Sequence, residues 1–342
     1  MSTNQPFFQL QQTFTDKNCF LCGVTLTKRE GDPARSTEEH VIPRWLQSRH
    51  QLYQEKMTLL NGTTIFYAAL KIPCCYECNH DRLAPLEEKM KTAVEAGPDA
   101  VEQLDPWTLF YWLGKIYYGL LFRELSLVAE RSDPNSNKIM TPDVLEQFAM
   151  HHALMQKIRG VIDCADESFP ASIYILECQE LLDQPKVNWD YGDAFVRPYL
   201  SLRMGRVGII AFLQDWGVCE DSGPLIFQSA KGLALHPTQF RYLMGWGHYT
   251  ANAYRRTNHH LSFTGESSIT TISPPIPSLS NEHPYIQDDQ ILAEVLAAVM
   301  QQPLESIYRP EQLLNAIQKD DGTHLHIPFT SETISIGIGL PQ

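Results

Sequence analysis

CCYECNHDRLAPLEEKM (residues 74–90) places three cysteines within five positions, followed at once by an Asn, a His and an apolar-periodic run. The stretch reads as a strand turning into a helix, with Leu83, Leu86 and Met90 at core spacing on the helical side. Three thiols at one corner need a partner, and CFLC upstream supplies it through Cys19 and Cys22. Two CxxC knuckles, with 52 residues between Cys22 and Cys75, can deliver four thiolates to one tetrahedral zinc. Cys19, Cys22, Cys75 and Cys78 are therefore expected to hold a structural Zn²⁺ that ties two distant segments together. Cys74 is expected to be a spectator. The bland alternative is two unrelated cysteine pairs.

The chain has 342 residues, 43% hydrophobic and 20% charged, which is globular composition with room for two domains. No run approaches the roughly 18 apolar residues that span a bilayer, and the N-terminus lacks the basic-then-apolar layout of a secretory signal. A cytoplasmic protein with no membrane partner is expected, its thiols reduced and available to metal. The net charge of −13 is unevenly spread: residues 1–95 hold 11 basic and 11 acidic residues, so the whole excess lies beyond them. An acidic body makes diffuse DNA binding unfavourable, because cationic side chains supply that term. Nucleic-acid contact would have to be local.

Between the knuckles lies STEEHVIPRWL (residues 36–46), with Glu38, Glu39 and His40 ahead of Val-Ile-Pro. A Glu-Glu-His triplet on a loop is ordinarily solvated surface. An acid, a His, two apolar residues and a Pro, followed later by CxxC-Asn opening a helix, make a more specific order. Over residues 16–92 it resembles the HNH, or ββα-metal, endonucleases, in particular the four-cysteine zinc subgroup that includes endonuclease VII.

That resemblance implies a small zinc-stabilised ββα-metal nuclease domain (1–95) followed by a larger acidic α+β domain (105–342), α+β overall. It implies that Glu39 and Asn79 bind a catalytic Mg²⁺ or Mn²⁺ through oxygen. His40 would take the proton from an attacking water, and Arg82, three residues after Asn79, would hold a phosphate oxygen. The substrate would be DNA, RNA not being excluded, and the products a 5′-phosphate and a 3′-hydroxyl. Pleat alternation places Glu39 and His40 on opposite faces of an extended strand, unless the strand ends there, as it does in the family. The position of the middle Asn of many HNH enzymes falls near Leu70, and Asn61-Gly62 reads instead as a hairpin turn. Two classes thus stay open: a bacterial anti-phage endonuclease, or a catalytically inactive zinc-stabilised module that recruits a protein or nucleic acid. His80 competes with Asn79 as ligand or helix cap, His50 reads as surface, and Glu87 as a salt-bridge partner.

In the remainder, Asp105-Pro106 reads as a helix cap before a buried aromatic helix over 107–130. A second helix is expected from 141 to 160, with Gly160 closing it. Strands are expected at 172–178, 198–204 and 206–215, with Gly205 as a tight turn, and further β-rich runs at PLIFQS and GLALHP. Helices follow at 238–254, 288–302 and 309–319, with a Pro/Ser-rich linker over 270–284. The cluster YRRTNHHLSF (254–263) and the pair His324 and His326 are weak site candidates. Regulation, oligomerisation or targeting is the role expected of this acidic body, through a homo-oligomer or a partner protein.

Overall fold

The computed structural model describes residues 15–133, 135–139, 148–161, 163–164, 169–194, 197–253, 261–264, 268–272, 287–310 and 312–334. It mixes helix and strand, and it divides into two compact units. The first unit joins residues 1–92 to 104–169 and 261–272; the second joins 93–103 to 170–260 and 273–342. The aromatic helix after residue 105 therefore clusters with the cysteine-bearing segment.

In the first unit, β1 (Ser36–His40) pairs antiparallel with β4 (Lys71–Cys75), Ser36 facing Cys75 and His40 facing Lys71. β4 runs into a wide π-type turn over Glu77–Leu83 and then α2 (Ala84–Ala96). Leu83 and Met90 are buried, as their spacing predicts, while Leu86 is half-buried. Between β1 and β4 lie α1 (Arg44–Arg49) and a hairpin of β2 (Lys56–Thr58) and β3 (Thr64–Phe66). Its loop is the Asn61-Gly62 turn: Gly62 has φ 76°, and Asn61 Oδ1 accepts from Thr63 N at 3.0 Å.

α4 (Pro106–Leu125) starts where the Asp-Pro pair predicts, with the Asp105 carboxylate accepting from Thr108 N, and stops five residues short of 130. Phe110, Trp112, Leu113, Ile116, Tyr117 and Tyr118 are fully buried, so the aromatic stretch is core. Burying each such side chain contributes about 1.5–3 kcal/mol. Gly119 permits the packing: a Cβ there would lie 3.0 Å from Val41 Cγ2 and 3.2 Å from Ile72 Cδ1. α5 (Ala149–Met155) continues through a tight turn to Gly160, which is left-handed at φ 68°, as a closing glycine should be. The start of that helix, over 140–147, lies outside the described residues. A three-stranded sheet of β5 (Asp163–Cys164), β10 (Leu261–Thr264) and β11 (Ser268–Ile272) completes the unit.

The second unit is built on an antiparallel sheet in the order β6 (Ser172–Glu177), β9 (Val207–Phe212), β8 (Tyr199–Met204), β7 (Trp189–Ala194). Gly205, at φ 70°, turns β8 into β9. Every residue of β8 and β9 is buried, the signature of strands covered on both faces. α8 (Pro237–Ala253) and α9 (Asp289–Met300) pack into the same core, with short helices α3 (Pro98–Glu102), α6 (Val218–Ser222) and α7 (Ile226–Ser229) around it.

Three expectations change here. PLIFQS forms α7, pointing Phe227 into the core, and GLALHP contributes only an isolated bridge from Leu235 to Cys178. Among the described residues of 309–319 none is helical, and the Leu314 and Ala316 carbonyls are claimed by α8 side chains. Tyr242 Oη donates to Leu314 O at 2.8 Å, and Gln239 Nε2 donates to Ala316 O at 2.8 Å. His50 is 2% exposed and so belongs to the core rather than the surface. The expected linker 270–284 begins in strand, 270–272 belonging to β11, and the cluster 254–263 ends in β10; the rest of both, 273–284 and 254–260, lies outside the described residues.

Candidate metal centre and the β1 corner

Cys19, Cys22, Cys75 and Cys78 converge, their sulfurs all within 4.8 Å of one another. A tetrahedral zinc with bonds of about 2.3 Å has sulfurs about 3.8 Å apart. Cys22 Sγ lies 3.7 Å from Cys75 Sγ, so the cage fits such an ion. Cys78 N donates to Cys75 Sγ at 3.4 Å, an amide contact suited to an anionic sulfur. Burial opposes ionisation of Cys19, but hydrogen bonds from Cys22, Cys74, Cys75 and Cys78 outweigh it and hold the thiol well below its ordinary value. Cys78 is held above, chiefly by its contacts with Cys19 and Cys22. Cys74 stands outside the set, 3.9 Å from Cys19, and burial raises its thiol. Among the described residues no other group of three or more His, Cys, Asp or Glu converges in this way. His324 and His326 are exposed and gather no third ligand among the described residues.

The first knuckle is fastened from α5. His152 Nε2 lies 3.1 Å from Leu21 O, and Gln156 Nε2 donates to the same carbonyl at 2.9 Å. Burial drives the imidazoles of His151 and His152 down to about 4, so both are neutral over the physiological range. These positions carry no motif; only their place in a helix beside aromatic core residues hints at burial.

β1 ends at His40 and splits its side chains by pleat. Glu39 is 8% exposed and meets Lys115 of α4, with Nζ 2.6 Å from Glu39 Oε1. The same ammonium donates to Glu87 Oε1 at 2.7 Å and to His40 O at 3.1 Å. Glu87 Oε2 accepts from the indoles of Trp45 and Trp112, at 3.0 and 3.1 Å. Glu87 is thus the salt-bridge partner its position suggested. Burial raises Glu39 above an ordinary carboxyl, against the pull of Lys115. Burial alone would lower Lys115, yet the two carboxylates hold it above an ordinary amine. Lys115 lies 76 residues from Glu39, and nothing in the sequence joins them. Glu39 Oε2 accepts no hydrogen bond from the described residues.

His40 is half-buried on the other side of the pleat, facing Lys71 across the ladder. Burial lowers its imidazole first, then the charges of Lys71, Arg44 and Lys115; Glu38 pulls the other way. Glu38 pairs with Lys71 at 2.9 Å. Asn79 reaches β1: its Nδ2 donates to Thr37 Oγ1 at 3.0 Å and to Glu38 O at 3.3 Å. Its Oδ1 has no partner among the described residues. Arg82 is exposed and meets Glu77 at 3.6 Å, an exposed ion pair of the kind that contributes little. His80 stacks on Tyr76 at 4.9 Å and bonds Asp81, away from the role of ligand or cap. The structure therefore brings Asn79 to β1, and sets Glu39 and His40 on opposite sides of it.

No helix of the described residues is long and apolar enough to cross a membrane. No protein-family model, curated protein or solved structure matches this chain.

Proposed function

We propose that the first unit is a zinc-ordered ββα module that hydrolyses phosphodiester bonds in DNA. The observation that carries this reading is the Asn79 anchor. Both its amide donor bonds end on β1, at Thr37 and Glu38, so the helix opening after Cys78 is latched to the strand bearing Glu39 and His40. Both bonds use Nδ2, which leaves Oδ1 without a partner among the described residues. Asn79 Oδ1 and Glu39 Oε2 both lack a hydrogen-bond partner among the described residues, and hard divalent ions take oxygen ligands. Mg²⁺ or Mn²⁺ held there would neutralise charge on the phosphate oxygens. Glu39 is oriented by Lys115 through Oε1, as a ligating carboxylate normally is by a hydrogen-bonded neighbour. His40 is the last residue of β1, and for it to take the water proton its imidazole must turn about that strand end towards the Glu39 side; the cations Lys71 and Arg44 beside it would draw the phosphodiester. Anti-phage defence is the role this activity would serve.

The test is nicking of supercoiled plasmid with Mg²⁺ or Mn²⁺. Wild type is expected to cut and His40→Ala to lose cutting while keeping its zinc and its melting temperature. Equal cutting by the variant removes His40 from the mechanism.

A second reading has its own support. Lys115 already places a positive charge on Glu39, so the module could be complete without a divalent ion. It would then bind nucleic acid or a protein without cutting. Wild type that retains plasmid in a gel shift, yet leaves DNA and RNA of every topology intact, decides for that reading.

A further inference from the structure

A cavity of about 460 Å³ opens in the second unit between edge strand β7, β8, α8 and the end of α9. Small-molecule sites span about 300–1,000 Å³. α8 lines it with Arg241, Met244 and His248, spaced three and four apart on one helical face.

Charge is concentrated on one wall. Asp190 takes Arg203 Nε on Oδ2 at 2.5 Å and Arg241 Nε on Oδ1 at 2.7 Å. Arg203 is fully buried, whereas the Arg241 side chain is 41% exposed. Two guanidiniums on one carboxylate leave the group with a net positive charge. Arg241 spends only Nε on Asp190, and its terminal nitrogens have no partner among the described residues. Held by Nε, the fork is fixed in place with its paired donors unused, the form that grips a carboxylate or phosphate.

The remaining walls are mixed: Asp193 also lines the cavity, its carboxyl raised above the ordinary range by burial, and beside it lies surface suited to an apolar body. Tyr199, Met244 and Val299 supply hydrocarbon and ring surface, and Ser201 donates its hydroxyl to Gly192 O at 3.1 Å. Gly192 sits within β7, where glycine costs about 0.5–1 kcal/mol, and its backbone is not left-handed. Its role is spatial: a Cβ would lie 2.8 Å from Met244 Cε and 2.9 Å from Ser201 Oγ, against the cavity lining.

We propose that this cavity binds a small organic anion, an oxyanion head gripped by Arg241 and a largely apolar body lying against Tyr199, Met244 and Val299. The site is independent of the β1 corner and does not depend on phosphodiester cleavage. Calorimetric titration of the full chain with phenyl phosphate, benzoate and inorganic phosphate, at matched ionic strength, tests it. Phenyl phosphate, benzoate or both are expected to bind saturably and more tightly than inorganic phosphate, and the tighter of the two identifies the head group. Arg241→Gln is expected to weaken that binding roughly tenfold or more. Val299→Trp, which narrows the cavity without touching the Asp190 pair, is expected to weaken it as well, and serves if Arg241→Gln does not fold. Absence of saturable binding by both aromatic anions, or binding unchanged in either folded variant, overturns the proposal.

Discussion

Lys115 Nζ stands 2.6 Å from Glu39 Oε1, an ion pair between α4 and β1 in which the lysine side chain has no solvent exposure. With Glu87 as second acceptor at 2.7 Å, it is a buried triad of net negative charge. Breaking a buried pair from one side costs about 3–5 kcal/mol, because the remaining charges are left without a counter-ion. Lys115→Met is therefore expected to lower the stability of the first unit by about that amount, read by urea unfolding with Trp45 and Trp112 fluorescence. Adding Glu39→Gln and Glu87→Gln is expected to recover a large part of the loss. An additive further loss would mean that the charges do not act on one another.

The four-sulfur cage predicts that the protein as purified carries about one zinc per chain. Cys78→Ser is expected to abolish stoichiometric zinc, measured by elemental analysis, and to lower the melting temperature of the first unit. Cys74→Ser should retain the metal, since Cys74 stands outside the convergent set.

Acid should weaken the first unit through α5. His151 and His152 are held down to about 4 in the fold, against about 6.5 when unfolded. The unfolded chain therefore binds more protons between those values, and stability falls as pH drops from about 6.5 towards 4. At pH 5 each histidine accounts for a loss of about 2 kcal/mol. His151→Gln should flatten the slope of unfolding free energy between pH 6.5 and 4; an unchanged slope would place the titration elsewhere.

Gly119 sets the distance between α4 and the strand pair. A methyl at this position enters space already held by Val41 and Ile72, at 3.0 and 3.2 Å. Although alanine is the better helix former, Gly119→Ala is expected to destabilise by about 1–3 kcal/mol, measurable as a shift in the denaturation midpoint.

Local signals in the sequence carried a good deal of this. The CxxC spacing located the sulfur cage, Asp105-Pro106 the start of α4, and Gly205 the β8–β9 turn, because each rests on chemistry within a few residues. Segment 309–319 was misread as a helix: its apolar period was real, but its carbonyls are bound by Gln239 and Tyr242 of α8. His50 was misplaced on the surface for a similar reason, its burial being decided by packing that its neighbours in sequence do not reveal. Of the β1 corner, the sequence left two arrangements open, Glu39 and His40 parted by the pleat or brought round by a strand end, and β1 does end at His40. Lys115 was invisible, since a lysine in an aromatic helix has no motif and its partners are 76 and 28 residues away.

The doubly bonded Leu21 carbonyl bears on how this protein can be dissected. Its two donors, His152 and Gln156, sit more than 130 residues downstream of it. A fragment ended after the second knuckle would keep every sulfur yet strip the first knuckle of its clasp and Glu39 of its counter-ion. The smallest piece that preserves this chemistry runs past residue 156, so a silent short fragment would report a missing clasp rather than a missing activity.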